Sequence, residues 1–464
     1  MNLKSIHALS PLDGRYSKRL SPIHQFFSEY ALIRFRLQVE VEYLIAFLEK
    51  TKLQPLSATQ KKSLRNIYLL FSEPAAQRVK ELEEKCHHDV KAIEYYLQEE
   101  LKKEKLDRLV PYIHIGLTSE DVNSCAYGLA LTRVLKEVLI PRLSDLVAAT
   151  ATFAESSATA VMLARTHGQP AVPTTLGKEV VVFANRLEKV LVSLNDIAIE
   201  AKLGGAVGNW NALAFVMPKD NWMAFSQKFI AQLGLKPSLV STQIVSAESY
   251  SECFQALVRL NVILIDFTRD MWQYISDSYV LQKVTEGQVG SSTMPQKVNP
   301  IDFENSEGNA GLAIALLQHF VEKLPISRLQ RDLSDSTVKR SIGTAFGHTL
   351  LAVSSLQHGL EKVTSNTEYM KQIVDSHPEV LAEALQTALR LSGNEAAYEK
   401  MRDLTRGKSI SKRDLDVVAQ EITATDLRRS FLHLMPAEYV GLSKEIVKQE
   451  VVRIKKTLNT IRKG

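Results

Sequence analysis

Between residues 122 and 355 the apolar side chains return every three or four positions, over stretches longer than most globular helices. One stretch runs from Leu176 to about Lys202, with Val180, Phe183, Leu187, Val190, Leu191 and Leu194 on one face. Another covers Phe254 to Val284, with Leu257, Leu260, Ile263, Leu264 and Phe267 spaced alike. Two more span Val122 to Leu139, with Pro141 read as the stop, and Leu143 to about Ser157; a fifth follows Pro300. Long rods with short joins bury continuous apolar stripes by packing on one another, so the expected fold is all-α with a central long-helix bundle. Strand-like alternation is scarce, and the Val-rich pieces fall within helical periods.

The flanks have a different texture. Leu9 to Tyr16 is rich in turn residues and leads to a helical pattern over Phe26–Leu48. A second helical region covers Leu64 to Leu101, broken near Pro74. From about Glu361 shorter helical patterns alternate with joins such as Gly393-Asn394 and Thr405 to Lys408. The expected domains are therefore an N-terminal helical one over residues 1–115, the bundle over 116–360 and a small helical one over 361–464.

Of the 464 residues, 45% are hydrophobic and 23% charged, the balance of a soluble globular protein. The formal net charge of +5 includes no basic tract of the kind nucleic acid requires, and slightly favours a small anionic substrate. Cys86, Cys125 and Cys253 are odd in number and far apart, which argues against a disulfide framework and for a reducing cytoplasm. The N-terminus has no signal-peptide pattern, and no apolar run is long enough for a bilayer.

Gly290 to Val298 has neither helical nor strand periodicity. Asn299 is a favoured N-cap, Pro300 suits a first helical position, and Asp302 with Glu304 places negative charge in the first turn. Hydroxyls and the Lys297 ammonium thus sit on a pliable loop fixed to a rod, an arrangement suited to closing over an anion. Cys86-His87-His88-Asp89 falls within helical periodicity, where neighbours splay too far apart to share one metal ion. Thr118 and Asp121 fit a capping box. His167, in Ala164 to Thr174, is expected on a loop kept extended by Gly168, Pro170 and Pro173. Gly204-Gly205-Ala206-Val207-Gly208-Asn209 lacks the preceding strand and glycine spacing of a dinucleotide fingerprint. Arg331, Ser336, Thr337 and Arg340 read equally as a solvated face or as a grip for phosphate.

The strings Gly290-Ser291-Ser292-Thr293-Met294-Pro295-Gln296-Lys297-Val298-Asn299-Pro300 and Thr166-His167-Gly168-Gln169-Pro170 resemble the fumarase/aspartase superfamily, whose members release fumarate by cleaving a C–N or C–O bond. Ser10 to Tyr16, His88-Asp89-Val90, Thr118 to Asp121 and Ile301 to Asn309 extend the likeness across nearly the whole chain, to the adenylosuccinate lyase branch in its longer bacterial form. That resemblance implies a tetramer core built by the bundle, active sites shared between subunits of a homotetramer, no metal and no organic cofactor. It assigns Ser291 as general base, His167 as general acid, Glu304 as the carboxylate orienting that imidazole, and Lys297 with Asn299 as holders of the succinyl carboxylates. His88 lies beside the substrate in the same likeness. Arg15, Tyr16, His87, Asp89, Thr118, Ser119, Gln243, Asn305, Arg331, Ser336, Thr337 and Arg340 complete the implied binding set, with the role of His87 left open. Two rival readings are another fumarate-releasing enzyme, such as argininosuccinate lyase, and a non-catalytic helical bundle.

Overall fold

The computed structural model describes residues 7–283, 293–294 and 296–463. It is dominated by helices. The N-terminal part contains α1 (Ser17–Phe27), α2 (Glu29–Thr51), α3 (Ala58–Leu69), α4 (Glu73–Cys86) and α5 (Asp89–Lys103). Next come α6 (Ser119–Val134), α7 (Ile140–Ser156), β1 (Val161–Thr166), β2 (Gln169–Thr175) and α8 (Leu176–Asp196). β3 (Glu200–Ala201), α9 (Asn211–Val216), α10 (Trp222–Gln232), β4 (Lys236–Pro237), α11 (Glu248–Ser276) and β5 (Val280–Gln282) lead to α12 (Ile301–Lys323). The six-residue α13 (Ser334–Lys339) is followed by α14 (Ile342–Glu361), β6 (Val363–Ser365) and the shorter helices α15 (Thr367–Asp375), α16 (Ala382–Leu391), α17 (Ala397–Thr405), α18 (Lys412–Ala419) and α19 (Thr425–His433). The 19-residue α20 (Ser443–Ile461) ends the chain. No helix among the described residues is long and apolar enough to cross a membrane.

Local chemistry sets many of these boundaries. Ser28 accepts from the Ala31 N–H at the start of α2, and Ser57 forms a reciprocal capping box with Gln60 at the start of α3. Pro74 sits in the first turn of α4, where its missing N–H costs nothing, so it opens a helix. The break in this region also recurs at His87, which adopts a left-handed conformation with φ of 52°. Cys86 to Asp89 is thus a junction between two helices, not the interior of one.

Pro141 does not stop its helix. A π-helical turn over Leu135–Leu139 joins α6 to α7, and the Ile140 N–H donates to the Leu135 carbonyl. The wider turn re-phases the backbone, and the proline lies in the first turn of α7, where it is tolerated. The expected extended loop around His167 is a β-hairpin, with Val161 opposite Thr175 and Thr166 opposite Gln169. His167 and Gly168 form its tip with φ of 54° and 75°, the two positive values that a type I′ turn demands. A two-stranded ribbon has an unpaired edge on both strands, which leaves room for Pro170 and Pro173 in β2.

The chain divides into two compact units. The first comprises Met1–Arg142, Val190–Val262 and Gly308–Ala352; the second comprises Leu143–Lys189, Ile263–Glu307 and Val353–Gly464. In the first, α2 is buried along nearly its whole length, through Phe35, Leu37, Val39, Tyr43, Leu44 and Phe47. Its C-terminal half joins an aromatic cluster in which Phe47 stacks on Trp222 at 6.1 Å and Tyr43 meets Phe229 edge-on at 5.8 Å. Each such side chain contributes about 1.5–3 kcal/mol by leaving water. In the second, Phe183 of α8 stacks on Phe267 of α11 at 4.4 Å. Leu381, Leu385, Leu389, Met401, Leu415, Ile422 and Phe431 close a separate core among the short helices, against Leu163 of β1.

Candidate active site

Six stretches distant in sequence meet in the first unit. His88 is the N-cap of α5, and its Nδ1 accepts from the Lys91 N–H at 3.1 Å. In the neutral ring that leaves the proton on Nε2, a donor directed away from the helix end; the side chain is 52% exposed. His87 is exposed beside it. Asp89 is enclosed by cations. Its Oδ2 accepts from Arg36 at 2.7 Å and from Arg340 at 3.0 Å, while Oδ1 accepts from the Val90 N–H. Burial alone would raise its pKa; the charge and hydrogen bond of Arg36, the Val90 N–H and Arg340 outweigh that and hold it below the usual carboxylate value.

From Arg36 the chain of contacts continues inward. Its Nε donates to Asn123 at 2.9 Å, and Asn123 Nδ2 donates to Glu120 at 2.8 Å. Glu120 faces two more cations, Arg331 at 3.1 Å and Lys339 at 3.5 Å. Arg331 also donates to Gln243 Oε1 at 3.2 Å, and Gln243 Nε2 donates to the Ala206 carbonyl at 3.1 Å. Lys339 pairs with Asp335 at 2.6 Å. Burial would depress the Lys339 pKa, yet Glu120 and Asp335 together hold it above the ordinary lysine value. Of the residues implied by resemblance, Asp89, Gln243, Arg331 and Arg340 thus belong to one network. Ser336 and Thr337 ride on α13 between the two arginines, half-buried and exposed respectively. Arg15 is exposed ahead of α1, 6.0 Å from the Tyr16 ring.

A second polar cluster lies under Thr118 and Ser119. Thr118 and Asp121 form the expected capping box at the start of α6. The Asp121 carboxylate has further partners: the N–H groups of Gly204 and Gly205 at 2.8 and 3.1 Å and the Lys202 ammonium at 2.9 Å. Both members of the Lys202–Asp121 pair are fully buried. The glycine-rich turn therefore directs its two N–H groups at a carboxylate of its own chain. Gly208 explains the composition: its φ is 84°, and a Cβ there would lie 2.3 Å from the Ser241 carbonyl oxygen.

The other candidates belong to the second unit. His167 is exposed at the hairpin tip. Lys297 is exposed; its backbone N–H donates to the Met294 carbonyl. Asn299 is half-buried just ahead of α12, and Asn305 is exposed in its first turns. The helix begins one residue later than expected, and the Pro300 carbonyl accepts from the Glu304 N–H. Glu304 is exposed and accepts from Trp272 Nε1 at 3.2 Å, while its neighbours Asp302 and Glu307 pair with Lys362 and Arg269. Ser291 and Gly290 lie outside the described residues.

Sequence reasoning missed Arg36, Glu120, Asn123, Lys202 and Lys339. A signal existed for one of them: Arg36 stands between Ile33 and Val39 on the buried side of α2, and a buried charge persists only with a partner.

Comparisons with known proteins cover the same length. A lyase family model matches residues 14–314, and a model described as adenylosuccinate lyase C-terminal matches residues 327–440. The adenylosuccinate lyase of Dictyostelium discoideum is 44% identical over 456 residues, 95% of this chain and 98% of that protein. That of Haemophilus influenzae is 41% identical over 97% of this chain and all of its own, and that of Escherichia coli K12 is 41% identical over 95% and 98%. Among solved structures, a 3-carboxy-cis,cis-muconate lactonizing enzyme from Pseudomonas putida superposes with a TM-score of 0.77 at 20% identity, over 98% of this chain and all of its own. A fumarate lyase from Mesorhizobium sp. BNC1 superposes with a TM-score of 0.74 at 17% identity, over 93% and 97%. Those two likenesses concern the fold alone. The relatives match from end to end at twice that identity, and the chain belongs to the adenylosuccinate lyase family of C–N lyases.

Proposed function

We infer that this lyase releases fumarate from adenylosuccinate, leaving AMP, and from the succinyl-carboxamide ribotide SAICAR, leaving AICAR, in purine nucleotide synthesis. The observation that carries the reading is identity of 40–44% to curated adenylosuccinate lyases over nearly the full chain. The cationic network supports it independently. Arg331 and Arg340 flank Ser336 and Thr337, and a guanidinium pair with hydroxyls between suits a nucleotide's phosphate. Arg15 and Tyr16 are assigned to the same nucleotide end; Asp89, Gln243, Thr118 and Ser119 are assigned to the substrate, with the α6 N-terminus favouring its negative charge, and His87 lies among them with its role open.

The elimination removes a proton from the carbon beside a succinyl carboxylate, moves that electron pair into the new C=C bond and expels the nitrogen. We assign the base to Ser291. A serine hydroxyl is too weak an acid to ionise in water, so the role requires Lys297 and backbone N–H groups to stabilise the alkoxide. Lys297 and Asn299 hold the succinyl carboxylates, and Asn305 contacts the substrate. His167 delivers the proton to the departing nitrogen, a contribution of about 10²–10⁴-fold. Glu304 orients that ring, and the Nε2–H of His88 donates to the substrate. No metal or organic cofactor enters the scheme. We further assign the protein to the cytoplasm as a homotetramer with active sites shared between subunits. The partly exposed apolar residues of the long helices, Val182 on α8, Val262 and Trp272 on α11 and Leu312 on α12, are the surfaces such assembly would cover.

Purified protein mixed separately with adenylosuccinate, SAICAR and argininosuccinate tests the reading, with fumarate followed by absorbance. Turnover of the first two and not the third is expected. Fumarate from argininosuccinate alone would reject it. Replacing Ser291 with Ala is expected to lower kcat by at least about 10²-fold, since it removes the assigned base; an unimpaired variant would remove that residue's role.

A further inference from the structure

Arg331 and Arg340 are nine residues apart in sequence, yet each is held by a carboxylate from another helix, and the two carboxylates are linked to one another. From one end the order is Arg340, Asp89, Arg36, Asn123, Glu120, Arg331, with successive contacts of 3.0, 2.7, 2.9, 2.8 and 3.1 Å. The two central members come from α2 and α6, and the whole line lies within the first unit. Arg36 is 2% exposed, Glu120 3% and Asn123 8%, so none of the three is placed to meet a ligand directly. Each group is engaged on two sides. The Arg36 fork donates Nε to Asn123 and Nη2 to Asp89, and the two Glu120 oxygens face Asn123 and Arg331 on one side and Lys339 on the other.

We propose that Arg36 and Glu120 are positioning residues, which set the orientation and spacing of Arg340 and Arg331 for the substrate phosphate. The inference rests on the assignment of those two arginines to the nucleotide end. A guanidinium on a surface loop samples many rotamers, and ordering it on binding subtracts from affinity. Here that ordering is done in advance by the fold. Arg331 presents Nη1 to Gln243 and Nη2 to Glu120, which fixes the plane of its fork, and Arg340 is fixed likewise by Asp89 on Nη2 and by Glu29 on Nη1 at 3.3 Å. Lysine in place of Arg36 keeps the charge but has no fork with which to reach Asn123 and Asp89 together. Glutamine in place of Glu120 keeps the shape and removes the charge that holds Arg331 and Lys339.

The experiment compares wild type, Arg36→Lys and Glu120→Gln in steady-state turnover of adenylosuccinate, with AMP and fumarate as separate product inhibitors. AMP reports the phosphate end and fumarate the succinyl end. The expected result is a rise of about tenfold in KM and in the AMP inhibition constant, the worth of one charge-assisted hydrogen bond. The kcat and the fumarate inhibition constant should stay within about threefold of wild type. AMP inhibition within twofold of wild type, or equal losses for AMP and fumarate, would overturn the proposal. If Arg36→Lys does not fold, Glu120→Gln supplies the same comparison. A wild type inactive on adenylosuccinate would instead sink the functional reading, so the two failures are distinguishable.

Discussion

His114 shows how a single residue can tie stability to pH. It has φ of 56° just ahead of the Thr118 cap, and its Nδ1 lies 2.6 Å from Glu40, whose side chain is fully buried. Burial alone would lower the imidazole pKa; the hydrogen bond and charge of Glu40, with Glu94 and Asp121 further off, raise it above the ordinary value. A raised histidine stabilises the fold fully below the unfolded pKa of about 6.5, and the contribution is lost as pH rises through the folded value. Asn tolerates the same backbone conformation, so His114→Asn isolates the ion pair. The variant's melting temperature should fall below wild type by more at pH 6 than at pH 9. Equal gaps at both would mean that the pair adds no charge-dependent stability. Nothing in the sequence marks this partnership, because Glu40 and His114 are far apart along the chain.

At the scale of elements, most helices were legible because an apolar stripe and its caps are local properties. Ser28, Ser57, Ser72 and Thr118 stand where α2, α3, α4 and α6 begin. The failures share a cause. Whether Pro141 breaks a helix depends on whether a π turn can absorb it, and whether residues 161–175 pair depends on a turn whose φ values His167 permits but does not announce. Close packing between elements is equally silent. At Gly177, in the first turn of α8, a Cβ would lie 2.4 Å from the Ala154 carbonyl oxygen and 2.7 Å from the Ala158 backbone. Both obstacles are main chain and cannot swing away, so Gly177→Ala should destabilise by about 1–3 kcal/mol. At about 2–4 °C per kcal/mol, that loss is visible in a thermal melt; an unchanged melting temperature would show that the α7–α8 junction is looser than its geometry.

For the whole molecule, the proposed homotetramer predicts complementation. Ser291→Ala and His167→Gln are each expected to be nearly inactive alone. If subunits contribute different residues to one site, mixed tetramers formed by co-expression contain sites lacking neither residue, and activity should return. Activity no higher than that of the two separate variants would argue that every site is built from one chain. The sequence by itself determined the helical class, the order of the lyase motifs and the family, because periodicity and contiguous strings are properties of neighbours along the chain. Only the tertiary structure decided that Asp89 is held between Arg36 and Arg340, that Asp121 fills the glycine turn above Lys202, and that Glu120 holds Arg331. The physical reason is burial: a charge withdrawn from water must find its partner in space, and a linear string does not record which distant segment supplies it.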